Sequence, residues 1–264
     1  MRNSYSIRVS SQKGGVGKTT VAINLAVALS MHNYKVLLID ADMISPSVGF
    51  FMGMENANVG IRDVIDGKVD AKQAIMRHNV SGVDVIPGTQ RLREFPNIAN
   101  ILGYFNKIRA SNTYDFIITD TAPGYWFPEF ASIADEAIIV STMTMASISS
   151  AMRFGEIYER SRVPFNYVFN MVSNMRYNIT VDEAEDAIGK RAIAVLPDDP
   201  IVKKSESYHI PAYNLDPNSE FSKKIDDLAR FYSSRSGGVP RPLSEKKGIG
   251  NMIGNVLGRK KSMD

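Results

Sequence analysis

Ser11-Gln12-Lys13-Gly14-Gly15-Val16-Gly17-Lys18-Thr19-Thr20 decides how this chain is read. A β-branched run over residues 5–10 precedes it, and a helical pattern over residues 19–32 follows. The glycines let the backbone curl until successive N–H groups point inward at the oxygens of an anion. The start of the helix adds its partial positive charge at the same spot. Lys18 then reaches β- and γ-phosphates, and the Thr19 hydroxyl is placed to ligate Mg²⁺. A nucleotide site is therefore predicted over Gly14, Gly15, Val16, Gly17, Lys18, Thr19 and Thr20. The general phosphate-loop pattern would put glycine at position 12; this chain has Gln12 there and a second lysine, Lys13.

Outward from the loop, further strands are predicted over 35–40, 83–86, 114–120, 136–141, 165–170 and 191–196, and helices over 98–110, 148–160, 182–189 and 219–232. Thr180 and Glu183 have the spacing of a capping box, which starts a helix there. Several strands are apolar throughout, as strands covered on both faces are. The expected fold class is α/β: one doubly wound, mostly parallel sheet flanked by helices. A chain of 264 residues, 44% hydrophobic and 22% charged, has the composition to bury such a core. Zero cysteines exclude disulfides, thiolate zinc sites, iron–sulfur clusters and cysteine nucleophiles. His32, His78 and His209 are too scattered for a metal site, and His78 and His209 read as surface or turn residues. No apolar run approaches the ~18–20 residues of a spanning helix, and no signal-peptide core opens the chain, so a cytosolic protein is expected.

Leu38-Ile39-Asp40-Ala41-Asp42 brings two acids to the end of the second strand. Ligands of doubly wound sheets bind beyond the carboxyl ends of the strands, so both acids should approach the loop. There they would orient the waters of a metal and the attacking water, or either would instead cap the turn that follows. Phe116-Ile117-Ile118-Thr119-Asp120-Thr121-Ala122-Pro123-Gly124 is an apolar strand ending in an acid and a Pro-Gly turn. Tyr125, Trp126 and Phe127 after it read as packing residues.

Composition shifts near residue 233 to a Ser/Gly/Pro stretch. The expected organisation is therefore a body over 1–232, a flexible linker over 233–244 and a tail over 245–264. Residues 235–264 carry seven basic and two acidic side chains, whereas the rest of the chain is slightly acidic. In the tail Ile249, Met252, Ile253, Val256 and Leu257 recur as one helical stripe, with Lys246 and Lys247 before it and Arg259, Lys260 and Lys261 after. Four glycines in that stretch each cost a helix about 1 kcal/mol relative to alanine, so the tail should become helical only where its stripe is buried. A basic amphipathic segment behind a linker suits a membrane surface with anionic lipids. Docking of the stripe on the body, or DNA contact by the basic residues, are the competing readings.

The Lys13-Gly14-Gly15-Val16-Gly17-Lys18-Thr19 box resembles the deviant Walker A loop of the MinD/ParA family of ATPases, and the likeness extends over about residues 5–232. The resemblance implies ATP and Mg²⁺ as ligands and ATP hydrolysis as the activity. It implies an ATP-dependent homodimer in which Lys13 reaches the partner's nucleotide and Lys18 its own. By the same resemblance Asp42 positions the attacking water, Asp40 and Thr19 support the metal, and Asp120 holds Mg²⁺ through a water while Gly124 senses the γ-phosphate. Asn170 and the Pro197-Asp198 turn stand where the family contacts adenine, with Ile201 and Val202 as an apolar wall. This favours ATP over GTP. Residues 61–67, 83–88 and 196–212 resemble MinD, and so does the tail in position and character. Ser45-Pro46-Ser47-Val48-Gly49 is closer to iron–sulfur carriers, whose Cys-x-x-Cys this chain lacks.

One tail should hold a membrane weakly: five apolar side chains at ~1–1.5 kcal/mol each are largely offset by folding a glycine-rich helix. Two tails on one dimer raise avidity by about 10²–10⁴. The expected function is thus a MinD-like ATPase that dimerises on ATP, associates with the inner face of the cell membrane and is released on hydrolysis. It would act in spatial positioning under a regulatory activator protein. A ParA-like partition ATPase, disfavoured with DNA as a partner by the acidic body and the apolar stripe of the tail, and a nucleotide-dependent scaffold with negligible turnover are the alternatives.

Overall fold

The computed structural model describes residues 4–55, 57–89, 98–124, 134–173 and 179–236. Expectations for Tyr125, Trp126 and Phe127, for the linker beyond residue 236 and for the whole tail lie outside the described residues. β1 (Tyr5–Ser10) leads into α1 (Lys18–Met31), and β2 (Val36–Ala41) is followed by α2 (Val48–Phe51), α3 (Ile61–Ile65) and α4 (Ala71–Ala74). Next come β3 (Met76–Arg77), β4 (Asp84–Ile86), α5 (Ile98–Ala110), β5 (Phe116–Thr121), β6 (Glu136–Ser141) and α6 (Met145–Arg160). The described chain closes with β7 (Phe165–Val172), α7 (Val181–Ile188), β8 (Ala194–Pro197), α8 (Pro200–Tyr208), α9 (Ala212–Leu215) and α10 (Glu220–Arg235).

The strands form one sheet in the order β3-β4-β2-β5-β1-β6-β7-β8, and every pairing is parallel except that of β3 with β4. Alternate side chains on a strand point to opposite faces, which sorts the core. Val36 and Leu38 of β2, with Ile7 and Val9 of β1, pack beneath α1 and α10. Leu37 and Ile39 face the other way, onto α3 and α5. Ile139, Tyr167 and Phe169 meet α6 and α7 on a third cluster. α1 is buried along residues 21–30, as befits a helix apolar on all sides and enclosed between the sheet and α10.

The expected doubly wound sheet is present, with differences that have local causes. β3 is too short, at two residues, to give a period. The Pro197-Asp198 turn joins the end of β8 to the start of α8, a helix not among those expected, where Asp199 caps the first turn through Ile201 N at 3.0 Å and Pro200 takes the first helical position. α10 continues to Arg235, past the boundary at 232. Arg235 Nε lies 3.5 Å from the buried Glu136 carboxylate, and its guanidinium stands over Phe231. The Thr180–Glu183 capping box forms as expected, with Thr180 N donating to Glu183 Oε2 at 2.7 Å. His78 sits in a turn but is buried rather than on the surface: its Nδ1 meets Ser81 Oγ at 2.7 Å, and its backbone closes onto Gly82 and Val83.

Candidate functional site

β2 follows β1 in the chain yet lies beyond β5, whereas β6 follows β5 yet lies on the far side of β1. The carboxyl ends of β1 and β5 thus open a crevice where ligands of such sheets bind. The glycine loop fills its rim. Gly15 and Gly17 adopt left-handed backbone, φ 77° and 81°, which the curl of the loop requires. Gly17 is also the N-cap of α1 and, having no side chain, leaves the first-turn amides to face a ligand. Gln12, Lys13, Gly14 and Gly15 are exposed, while Val16 and Lys18 are buried and Thr19 and Thr20 half-buried.

Beneath the loop the acids converge. Asp40 and Asp120 are register partners on β2 and β5, and both are wholly buried. Asp120 takes Lys18 Nζ on Oδ1 at 3.2 Å and the Thr19 hydroxyl on Oδ2 at 2.6 Å. Burial drives the Asp120 carboxyl above its ordinary value, and Lys18 pulls it the other way. Asp40 spends both oxygens on backbone amides: Oδ1 on Asp42 N at 3.2 Å, Oδ2 on Ser47 N and Val48 N at 3.0 Å each. Burial first, then Asp120, push its pKa up to about 8 against the pull of those amides. Asp40 therefore anchors the segment from residue 42 to residue 48, in line with the alternative in which an acid here caps the turn that follows.

Asp42 is buried and caps the turn after it through Oδ1, which accepts Ile44 N at 3.1 Å and Ser45 N at 2.9 Å. Its Oδ2 accepts no hydrogen bond among the described residues, so the capping reading accounts for only half of this carboxylate. The same segment carries Ser47, whose hydroxyl donates to Thr19 Oγ1 at 3.4 Å. The sequence singled out this serine only as part of a divergent loop. The Gly124 amide, expected at the γ-phosphate, donates instead to Ser11 O at 2.9 Å. Any contact with phosphate would have to exchange for that bond.

Asn170 stands at the far side of the loop, buried, with Nδ2 donating to Val16 O at 2.9 Å. A Cβ on Gly17 would overlap this amide, so glycine there is also demanded by packing. Pro197 is half-buried and Asp198 exposed, and Asp198 N donates to Val172 O at 3.0 Å, which ties the turn to the end of β7. Ile201 and Val202, expected as an apolar wall, are half-buried and pack against the core under α1 and α10.

A nucleotide with Mg²⁺ fits what is present. The left-handed glycines and uncapped helix start make a cradle for phosphates, and the Thr19 hydroxyl and Asp120 carboxylate form a hard oxygen pair beside it. Mg²⁺ characteristically takes one or two such protein oxygens and completes its shell with phosphate and water. No helix among the described residues is long and apolar enough to cross a membrane.

Comparison with known proteins agrees with this geometry. An AAA-domain family matches residues 4–162. An uncharacterized ATP-binding protein of Methanocaldococcus jannaschii is 31% identical over 263 residues, spanning 97% of each chain. The septum site-determining protein MinD of Thermotoga maritima is 31% identical over 89% of each chain. Among solved structures, MinD of Pyrococcus horikoshii complexed with Mg-ADP superposes with a TM-score of 0.80. It covers 91% of this chain and all of its own at 24% identity, a likeness of fold. With near-third identity sustained from end to end and the phosphate loop and its carboxylates in register beneath it, the chain belongs to the MinD/ParA family of P-loop ATPases.

Proposed function

We propose that this chain hydrolyses ATP with Mg²⁺, pairs with a second copy across the bound nucleotide, and uses that pairing to bring two C-terminal tails onto an anionic membrane. Its task would be spatial positioning, of a division site or a related structure. The observation that carries the reading is the division of labour between two lysines. Lys18 is buried against Asp120, whereas Lys13 is exposed at the mouth of the loop, its carbonyl fixed by the Ser11 hydroxyl at 2.8 Å. A cation held outward there suits the phosphates of a neighbouring molecule.

Thr19 and Asp120 would hold Mg²⁺, which neutralises charge on the β- and γ-phosphates when bound. Asp42, held by two amides on one oxygen, would offer the other to the attacking water and aim it at the γ-phosphorus. Cleavage of the bond from that phosphorus to the β–γ bridging oxygen yields ADP and phosphate. Asn170 supports ATP over GTP. One N–H of its amide is spent on the Val16 carbonyl, and Oδ1 stands as an acceptor for the 6-amino group of adenine. Hydrolysis would end the pairing and release the tails, with a regulatory protein setting its rate.

The test is sizing and vesicle sedimentation of wild type, Lys13→Ala and a chain cut after Arg241, each with ADP and with ATP. Wild type should double in size with ATP and sediment with anionic, not neutral, vesicles. Lys13→Ala should stay single, and the cut chain should pair without sedimenting. Equal sedimentation of wild type with ADP and ATP would overturn the coupling.

A further inference from the structure

We propose that Met171 is the platform on which the nucleotide base rests, its thioether packing against one face of the ring. The proposal deepens the ATP-site reading above and rests on it.

The backbone puts Met171 where no core requires it. Pairing of β7 with β8 passes from Phe169↔Val195 to Val172↔Pro197, so two residues of β7 oppose one of β8. Such a bulge re-aims side chains. Here it turns Asn170 inward onto Val16 O and Met171 outward, where 39% of the residue is exposed. Met171 has φ 56°, a left-handed conformation that methionine seldom adopts and that persists only where the surroundings enforce it. One enforcing contact is at the next residue, where Val172 O accepts Asp198 N at 3.0 Å.

On its other side Met171 Cε lies 3.3 Å from where a Cβ of Gly17 would stand. The side chain therefore occupies the interval between the last glycine of the phosphate loop and the Pro197-Asp198 turn. A nucleotide with its phosphates in the loop and its base toward Asn170 and that turn must cross this interval. Along it the base would meet an exposed, unbranched, polarizable side chain. Sulfur and methyl groups of methionine pack favourably on aromatic rings, and the flexible chain adapts to the ring's position. The contact adds affinity without reading the edge of the base, which Asn170 does.

The experiment compares wild type with Met171→Gly, a change that suits φ 56° and should leave thermal unfolding no earlier than in wild type. Calorimetry with ATP and with inorganic tripolyphosphate separates the base from the phosphates. Met171→Gly should weaken ATP about two- to twelvefold, the range of one sulfur–ring contact, and leave tripolyphosphate unchanged. In wild type labelled at methionine methyls, the resonance missing from Met171→Gly should move upfield with ATP and not with tripolyphosphate. Unchanged ATP affinity, an equal loss for both ligands, or a methyl resonance indifferent to ATP would each overturn the assignment. Wild type that binds ATP no better than tripolyphosphate would overturn the base-site reading itself, and with it this proposal.

Discussion

Asp40→Ala asks whether one buried carboxylate holds the segment from residue 42 to residue 48 over the phosphate site. In the native chain its oxygens take three amides, at 3.2, 3.0 and 3.0 Å, and the residue is wholly buried. A buried donor left without its acceptor costs about 1–3 kcal/mol, so three set a ceiling of about 9 kcal/mol. Two effects lower that figure: Ser47 is only half-buried and would find water, and removing the charge relieves the crowding with Asp120. The expected loss is about 2–4 kcal/mol. Asp40→Asn keeps one acceptor but turns an NH₂ toward an amide donor, and should fall between the two. Urea unfolding at constant m-value measures the loss, and hydrogen exchange at the amides of Ser47 and Val48 locates it. A change below about 0.5 kcal/mol in Asp40→Ala, or undiminished protection of those two amides, would refute the anchoring argument.

Gly17→Ala should abolish ATP binding by calorimetry and cost about 2 kcal/mol or more, because it strains a left-handed site and drives a methyl into the Asn170 amide. Gly155→Ala should destabilise although alanine is the better helix former. A Cβ there would overlap the Tyr167 hydroxyl and press on Phe165 at 3.2 Å, and a thermal midpoint above wild type would refute this. Burial lowers His78 from 6.5 to about 4. Between those values the unfolded chain binds a proton that the folded chain refuses. Stability therefore rises with pH through that window and is lost as pH falls through it, by up to about 3 kcal/mol. Urea midpoints at pH 4.5 and 7 should converge in His78→Gln; an undiminished gap would assign the acid sensitivity elsewhere.

The phosphate loop was legible because its conformation is local: glycines, lysine and threonine at set spacing curl one way wherever a strand leads in and a helix leads out. Periodicity located most strands and helices for a similar reason, since each apolar pattern answers to its own geometry. α8 had a readable signal, an N-cap Asp199 before Pro200, but its nine residues are too few to show a clear helical period. β3, two residues long, had none.

From its residues alone this chain determined that it curls a glycine loop of the phosphate-cradling kind, which acids lie near it, and that it builds a parallel sheet. Strand order, and with it the side-by-side placement of Asp40 and Asp120, was decided only by tertiary packing. So were the amides that claim Asp40, the carbonyl that turns Asn170, and the bulge that leaves Met171 in the open. The physical reason is range: a backbone turn is settled within a few residues, whereas the partner of a buried polar group comes from strands and loops distant in the chain, whose meeting depends on how the whole sheet buries its two faces.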